Sequence, residues 1–183
     1  MSLMNRRSFL ASLAGGALSA ALPQAATAFG VNSVRVLELR NTHPIDGRIE
    51  HARVPYWRNG RYDARGLGLL NHMMRDWRNE RVHKIDPELF DIFYALQTEL
   101  RAREGLHLIS GYRSPETNAM LRSRSSGVAK HSLHMEGMAG DIRIPGVELH
   151  TLRKTAMNLQ LGGVGYYPRS NFVHVDTGRV RTW

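Results

Sequence analysis

The N-terminal residues limit how much of this chain can fold into a domain. Residues 5–10 read Asn-Arg-Arg-Ser-Phe-Leu, the pattern of a twin-arginine export signal, and an uncharged apolar run follows over residues 9–22. Ala26-Thr27-Ala28 is the small-residue pattern that signal peptidases recognise. The sequence therefore predicts a signal peptide over residues 1–28 and one domain over residues 29–183, located in the periplasm.

The alternative for the N-terminus is a membrane anchor that is never cleaved. The apolar run is shorter than the roughly 20 residues that span a bilayer. No other stretch is long and apolar enough to cross a membrane. We therefore expect no stable membrane span after signal cleavage, and the sequence leaves the oligomeric state open.

Charge and cysteine content narrow the partners and the chemistry. The formal net charge is +9, which suits an anionic partner such as nucleic acid, lipid headgroups or the carboxylates of peptidoglycan. Export argues against nucleic acid as the partner. The alternative is that the basic side chains have no specific partner and only solvate the surface. The chain contains no cysteine, so any metal site must use His, Asp or Glu ligands.

Short strands and amphipathic helices follow one another without a βαβαβ rhythm. One helix is predicted from the N-cap Asp86 to Gly105, another begins at Ser114-Pro115, and Gly162-Gly163 is predicted to break the chain. Apolar spacing predicts further helices near residues 67–77 and over 147–160, and strands over residues 34–39, 52–57, 106–110, 141–144 and 171–176. The pattern predicts an α+β fold with a small antiparallel sheet and flanking helices.

The segment Ser132-Leu-His-Met-Glu-Gly-Met-Ala-Gly-Asp141 contains two metal-ligand types. His134 and Asp141 stand seven residues apart, and the small residues between them allow a tight turn into a strand. In the later segment Phe-Val-His-Val-Asp, His174 and Asp176 would share one strand face. Two imidazoles and a carboxylate are a normal catalytic zinc set, so we expect His134, Asp141 and His174 to hold the metal.

Arg113 comes directly after a predicted buried strand and just before a predicted helix cap. A guanidinium held on that junction would bind an oxyanion or a substrate carboxylate. The alternative is an ordinary capping or surface arginine. Farther along, Tyr166 and Tyr167 are candidates either to line a substrate groove or to pack.

The pattern S-x-H-x-x-G-x-A-x-D followed by H-x-D resembles the LAS metallopeptidases, which include zinc D-Ala-D-Ala peptidases. The closer resemblance is to the YcbK-like murein endopeptidase K group. It covers the twin-arginine signal, ISGYRS at 109–114, GVAK at 127–130 and GGVGYYPRSNFVHVDT at 162–177. This resemblance implies a LAS/hedgehog-type metallopeptidase fold and a Zn²⁺ ion on His134, Asp141 and His174. It also implies that Arg113 is the transition-state arginine.

The implied reaction is hydrolysis of cross-linked peptidoglycan peptides at amide bonds involving D-Ala or meso-diaminopimelate. Two alternatives remain open: a D-Ala-D-Ala carboxypeptidase, and a zinc-containing peptidoglycan-binding module without catalysis, like the hedgehog signalling domain.

The general base departs from the pattern of these relatives. Many LAS enzymes place it three or two residues before the last histidine, where this chain has Asn171 and Phe172. We expect Asp176 first, His131 second or Glu136 third to take the proton instead. The alternative role for Asp176 is to orient His174.

Overall fold

Eight strands and four α-helices make up the described part of the chain. The computed structural model describes residues 34–44, 47–125 and 127–183, and the predicted signal peptide, residues 1–28, lies outside them. In chain order the elements are β1 (Arg35–Asn41), β2 (His51–Arg58), β3 (Arg61–Tyr62), α1 (Ala64–Met73), α2 (Pro87–Glu99), β4 (Leu106–Ser110), α3 (Pro115–Arg124), β5 (Ala139–Arg143), α4 (Leu149–Leu159), β6 (Gly163–Tyr167), β7 (Phe172–Asp176) and β8 (Arg181–Thr182).

Capping residues begin the helices where the sequence predicts them. The Asp86 carboxylate accepts a hydrogen bond from the backbone N–H of Glu88 at 3.1 Å, and Pro87 follows as the first residue of α2. Ser114 caps α3 in the same way, by accepting from the N–H of Thr117 at 3.2 Å. These donors have no partner inside the helix, so the caps satisfy them. The predicted N-cap and proline positions are confirmed.

The predicted end of α2 is wrong. The helix stops at Leu100 because Arg101 takes a left-handed backbone conformation, with φ of 49°. Gly105 instead leads into β4 with φ of 70°, where a Cβ atom would lie 2.7 Å from the Glu38 Cγ atom. Only glycine fits that approach between two strands without strain.

All eight strands form one sheet in the order β3-β2-β1-β4-β5-β7-β6-β8. The α+β prediction is confirmed and most strand pairs are antiparallel as expected, but the sheet is larger than the small one predicted. The pairs β1–β4 and β6–β8 are parallel. No strand was predicted for β6, which begins at the second glycine of Gly162-Gly163, because glycine is depleted in strands. The strands β3 and β8 have two residues each and are too short for any alternation.

Helices α2 and α4 pack on one face of the sheet against β7. Val173 and Val175 of β7 are buried in this core with Leu89, Phe93 and other apolar residues of α2. Burying each such side chain contributes about 1.5–3 kcal/mol. Because side chains alternate along a strand, His174 and Asp176 lie on the opposite face. None of the described helices has the length and apolarity needed to cross a membrane.

Candidate metal centre and active-site cleft

His134, Asp141 and His174 reach one point from three different elements. His134 lies on a single 3-10 turn, Leu133–Glu136, that ends at Gly137 with φ of 69°. Asp141 lies on β5 and His174 on β7, and these two residues stand directly opposite each other in the antiparallel register. The sheet therefore supplies two adjacent side chains on one face, and the turn adds the third.

The three side chains are buried and in contact. His134 Nε2 lies 3.2 Å from Asp141 Oδ1 and 3.1 Å from His174 Nδ1, and the latter atom lies 2.9 Å from Asp141 Oδ1. Within the described residues, no other group of three or more ligand-type side chains converges in this way. The expected ligands are thus brought together, with one donor atom from each.

Hydrogen bonds on the outer side of each imidazole determine where its proton sits. His134 Nδ1 is 2.7 Å from the carbonyl oxygen of Gly111, which can only accept, so Nδ1–H donates. His174 Nε2 is 3.0 Å from the ionised Asp176 Oδ2 and donates to it. The inner nitrogens, His134 Nε2 and His174 Nδ1, face the carboxylate of Asp141, and a metal ion at this point would accept one lone pair from each of the three side chains.

This donor set fits a zinc-type cation. Zinc bonds of about 2.0–2.1 Å in a tetrahedral site place neighbouring ligand atoms about 3.3–3.4 Å apart. The observed separations of 2.9, 3.1 and 3.2 Å are shorter by only a few tenths of an ångström. Two neutral imidazoles and one carboxylate would leave a fourth position for water.

The electrostatics of the cluster favour the ligand-competent protonation states of two residues. Burial raises the pKa of Asp141, but the imidazoles of His134 and His174 outweigh this and hold it well below its usual range. Burial lowers the pKa of His134. For His174 burial also lowers the pKa, but its hydrogen bonds to Asp141 and Asp176 raise it overall. Asp141 is thus ionised and His134 neutral near pH 7.

The cluster lies in a cleft of about 390 Å³. Residues between 127 and 133 line part of the cleft, and the aromatic residues Tyr167, Phe172 and Trp183 line another part. The residues lining the cleft are Arg113, Gly127, Val128, Ala129, His131, Ser132, Leu133, His134, Asp141, Tyr167, Phe172, His174, Arg181 and Trp183. A substrate segment in this cleft would therefore contact basic and aromatic side chains above the candidate metal ligands.

Arg113 is held at this site by its backbone and by its side chain. Its backbone N–H donates to the carbonyl oxygen of His134 at 3.1 Å, and its Nη2 lies 3.9 Å from Asp141 Oδ2. The guanidinium is largely buried, and its Nε has no hydrogen-bond partner among the residues described. Burial lowers the pKa of Arg113, while the charge of Asp141 opposes this. A buried cationic donor with unused capacity is suited to an anion in the cleft.

Sequence comparison places the chain in a family. The family model described as "Peptidoglycan L,D-endopeptidase MepK" matches residues 30–183. The chain belongs to the MepK peptidase family. It is 48% identical over 181 residues to "Peptidoglycan L,D-endopeptidase MepK" of Escherichia coli (strain K12), covering 98% of this chain and 97% of the relative.

Two further relatives carry similar names. The Shigella flexneri protein of that name is 48% identical over the same shares of both chains. The "Probable peptidoglycan L,D-endopeptidase MepK" of Haemophilus influenzae is 55% identical over 118 residues, 64% of this chain and 63% of the relative. No solved structure gives a significant match. The resemblance to murein endopeptidase K and the expectation of a peptidase are confirmed.

In this MepK-family chain, Asp176 lies on the outer side of the His174 ring, away from the cluster. Its fully buried carboxylate accepts from His174, from two nitrogens of Arg181 at 2.9 and 2.8 Å, and from the N–H groups of Gly163 and Gly178 at 3.1 and 2.9 Å. Burial raises its pKa, but these donors hold it well below the usual range. A carboxylate so fully occupied is suited to orienting His174, and this geometry favours that role over the role of general base.

The other two base candidates are both exposed, but they differ in position. His131 lines the cleft, whereas Glu136 lies outside the set of lining residues. Among the residues that line the cleft, His131 is the histidine outside the ligand cluster. The structure thus places His131, of the three, where a base could reach a substrate.

The sequence reasoning missed Arg181 and Trp183, which follow β7. Both fold over glycines of β6: a Cβ at Gly163 would collide with the Arg181 guanidinium, and one at Gly165 would lie 2.7–2.9 Å from atoms of the Trp183 indole. Arg181 thereby reaches Asp176, and the indole lies 5.2 Å from the His174 ring, centre to centre. The signal in the sequence was the pair Gly163 and Gly165, two residues apart on one strand face, which leaves space for side chains to pack over β6.

Proposed function

We propose that this chain hydrolyses L,D-peptide bonds in the cross-links of peptidoglycan, with a zinc ion held by His134, Asp141 and His174. The observation that carries the proposal is the meeting of three lone-pair donors on the floor of a cleft, beside a buried arginine, in a MepK-family chain. Bound zinc would lower the pKa of its water to about 7 and polarise a carbonyl group.

The protein's own residues prepare the ligands and the substrate. The Gly111 carbonyl and the Asp176 carboxylate hold the imidazoles of His134 and His174 in the tautomers that leave a lone pair toward the metal. Arg113 donates hydrogen bonds to the oxyanion that develops on the scissile carbonyl. The cleft is basic apart from Asp141, which suits the carboxylates of peptidoglycan peptides.

His131 is the proposed proton carrier. It accepts a proton as water adds to the carbonyl carbon, and it returns that proton to the amine nitrogen when the C–N bond breaks. Its exposure at the cleft supports this assignment. Asp176, with all its acceptor capacity used by other groups, is proposed as the residue that orients His174.

The export expectation also belongs to this proposal. Residues 1–28 would direct the chain through the twin-arginine pathway, and residues 29–183 would act in the periplasm. N-terminal sequencing of periplasmic protein should begin at Phe29, and replacing Arg6 and Arg7 by Lys should retain the chain in the cytoplasm. An unprocessed chain found at the membrane would contradict this expectation.

The decisive experiment is digestion of purified cross-linked dimers that contain either one L,D-bond or one D,D-bond. Mass spectrometry should show that the L,D-dimer becomes monomers and that a chelator stops the reaction. His134→Ala and His131→Ala should abolish or strongly reduce release, while exposed His150→Ala on α4 serves as the matched control. Chelator-resistant cleavage would exclude the metal mechanism.

The same digestion distinguishes the alternatives. Loss of a single alanine from monomers would indicate a carboxypeptidase. Binding to isolated sacculi without release of any product would indicate a non-catalytic module.

A further inference from the structure

The hydroxyl of Tyr167 lies on the same face of the sheet as the metal ligands. In the β6–β7 register Gly165 stands opposite His174, and Tyr167 stands opposite Phe172. Residues 165 and 167 point to one face, because side chains two apart on a strand do so. Tyr167 stacks on Phe172 with ring centres 4.6 Å apart, which fixes its ring in the cleft wall.

Trp183 determines how the Tyr167 hydroxyl is used. The indole Nε1–H donates to the hydroxyl oxygen at 2.8 Å, and an indole N–H can only donate. The tyrosine therefore accepts this bond and keeps its own proton for another acceptor. Among the residues that the structure describes, no acceptor for that proton is found. The hydroxyl is thus a donor with an unused proton in the cleft.

Trp183 is held firmly although its side of the cleft is open. The residue is 45% exposed. Its N–H donates to the Val164 carbonyl at 3.2 Å, and its own carbonyl accepts from the Tyr166 N–H at 3.1 Å. The indole occupies the space that a side chain at Gly165 would take, and the Arg181 guanidinium lies over it at 4.8 Å. An exposed aromatic ring with so many fixed contacts is a rigid support for the hydroxyl.

Tyr167 and Arg113 both line the cleft that contains His134, Asp141 and His174. Arg113 supplies a charged donor and Tyr167 a neutral one. Paired donors of this kind are how active sites stabilise an oxyanion.

We propose that Tyr167 is a catalytic residue whose hydroxyl, oriented by Trp183, donates a hydrogen bond to the oxyanion of the scissile carbonyl beside Arg113. Trp183 is a positioning residue in this arrangement. The bond stabilises charge and transfers no proton, so the hydrolysis needs no further reactant. This inference rests on the proposed function, because it requires that the cleft cleaves an amide bond.

The test compares Tyr167→Phe, Trp183→Phe and the double variant with Tyr166→Phe as the matched control. Tyr166 is the neighbouring tyrosine, and its side chain points to the other face of β6. On an L,D-cross-linked dimer, Tyr167→Phe should lower kcat by about 100-fold and change KM by less than about twofold. Tyr166→Phe should match the wild type, and zinc content should be equal in all four variants.

The double variant tests the orienting role of Trp183. Trp183→Phe keeps an aromatic ring but loses the N–H, so kcat should fall by about 3–10-fold, within the usual range for contacting residues. That loss should disappear when residue 167 is already Phe. Additive losses in kcat would overturn the orienting role, and a Tyr167→Phe effect confined to KM would show that the hydroxyl binds a substrate carboxylate instead.

A binding measurement separates this inference from the proposed function. A phosphinate peptide has a tetrahedral anionic centre and cannot be cleaved. Calorimetry should show the same loss of affinity for it in Tyr167→Phe as is seen in kcat/KM. If the wild type cleaves the dimer and the Tyr167→Phe variant has the same kcat and the same phosphinate affinity as the wild type, the role of Tyr167 is refuted and the proposed function stands. If the wild type cleaves nothing, the proposed function fails, and equal phosphinate affinity would then refute the role of Tyr167 as well.

Discussion

Replacing Asp176 by Asn should weaken metal binding more than it slows any proton transfer. The carboxylate accepts five hydrogen bonds, from His174, twice from Arg181, and from the N–H groups of Gly163 and Gly178. An amide keeps one acceptor oxygen and presents N–H donors at the other position. In either orientation of the amide, at least two of the five donors face another donor.

The size of the effect follows from those contacts. Each buried polar group left without a partner costs about 1–3 kcal/mol, so two of them should lower the free energy of unfolding by about 2–6 kcal/mol. Two donors bond Oδ2 and three bond Oδ1, so the amide nitrogen should take the Oδ2 position, where fewer donors face it. His174 then either loses the acceptor for its Nε2–H or moves that proton to Nδ1, where it removes the lone pair that faces Asp141. Loss of such a partner typically lowers metal affinity about 10–100-fold.

Zinc affinity should be measured by competition with a chromogenic chelator, and stability by urea unfolding. Asp91→Asn is the matched control, since Asp91 accepts from Arg35, Tyr56 and Tyr62 at 2.7–2.8 Å in a cluster that contains no metal-ligand candidate. It should lose stability and keep its zinc affinity. If Asp176→Asn bound zinc like the wild type and lost only kcat, Asp176 would be the general base and the orienting role would be refuted.

Four further substitutions test other parts of the molecule. Arg113→Lys should lower kcat about 100-fold at unchanged zinc content, because an ammonium group lacks the planar pair of N–H donors of a guanidinium. Steady-state kinetics measure this, and a wild-type kcat would show that Arg113 does not stabilise the oxyanion. Gly165→Ala should lower kcat, because the added methyl group would push the Trp183 indole aside. Gly68→Ala, in open space on α1, should instead raise the free energy of unfolding by about 0.5–1 kcal/mol. Steady-state kinetics check the first prediction and thermal melts the second. The hydrogen bond from Arg75 lowers the pKa of Glu50 in the folded protein. The ionised Glu50 therefore stabilises the fold at pH values above the ordinary Glu pKa, and this stabilisation is lost as the pH falls through the pKa of Glu50 in the folded state. Urea unfolding should therefore show Glu50→Gln less stable than wild type at pH 7, with a smaller gap at pH 3; equal gaps would contradict this.

Local signals predicted most of the fold, and non-local contacts account for what they missed. The proline and capping residues of α2 and α3 act within one turn, so the sequence reveals them. The strand β6 contains two glycines, Gly163 and Gly165, and directly follows a third, Gly162. Its pairing with β7 and β8 is visible only in three dimensions. The size and mixed character of the sheet were missed for that reason.

The same distinction applies to the site. His134, Asp141 and His174 could be named as ligand candidates, because their spacing and strand alternation are local properties. The sequence did not distinguish two possible roles of Asp176, orienting the His174 imidazole and acting as the general base. Strand alternation indicates only that His174 and Asp176 share a face. Trp183 gave no signal by itself, because its place depends on the space left by a glycine on another strand.

The junction between β4 and α3 connects the candidate metal ligand His134 to the proposed oxyanion donor Arg113. The Gly111 carbonyl accepts from the imidazole of His134, and the Arg113 N–H donates to the backbone carbonyl of the same histidine. This short stretch therefore holds the ligand at both its ring and its backbone, and it also carries the guanidinium. It is fixed in turn by the Tyr112 N–H, which donates to the Met74 carbonyl at 2.7 Å. The distance between the proposed oxyanion donor and His134 is thus determined by the backbone, so a shift of this junction would disturb both residues together.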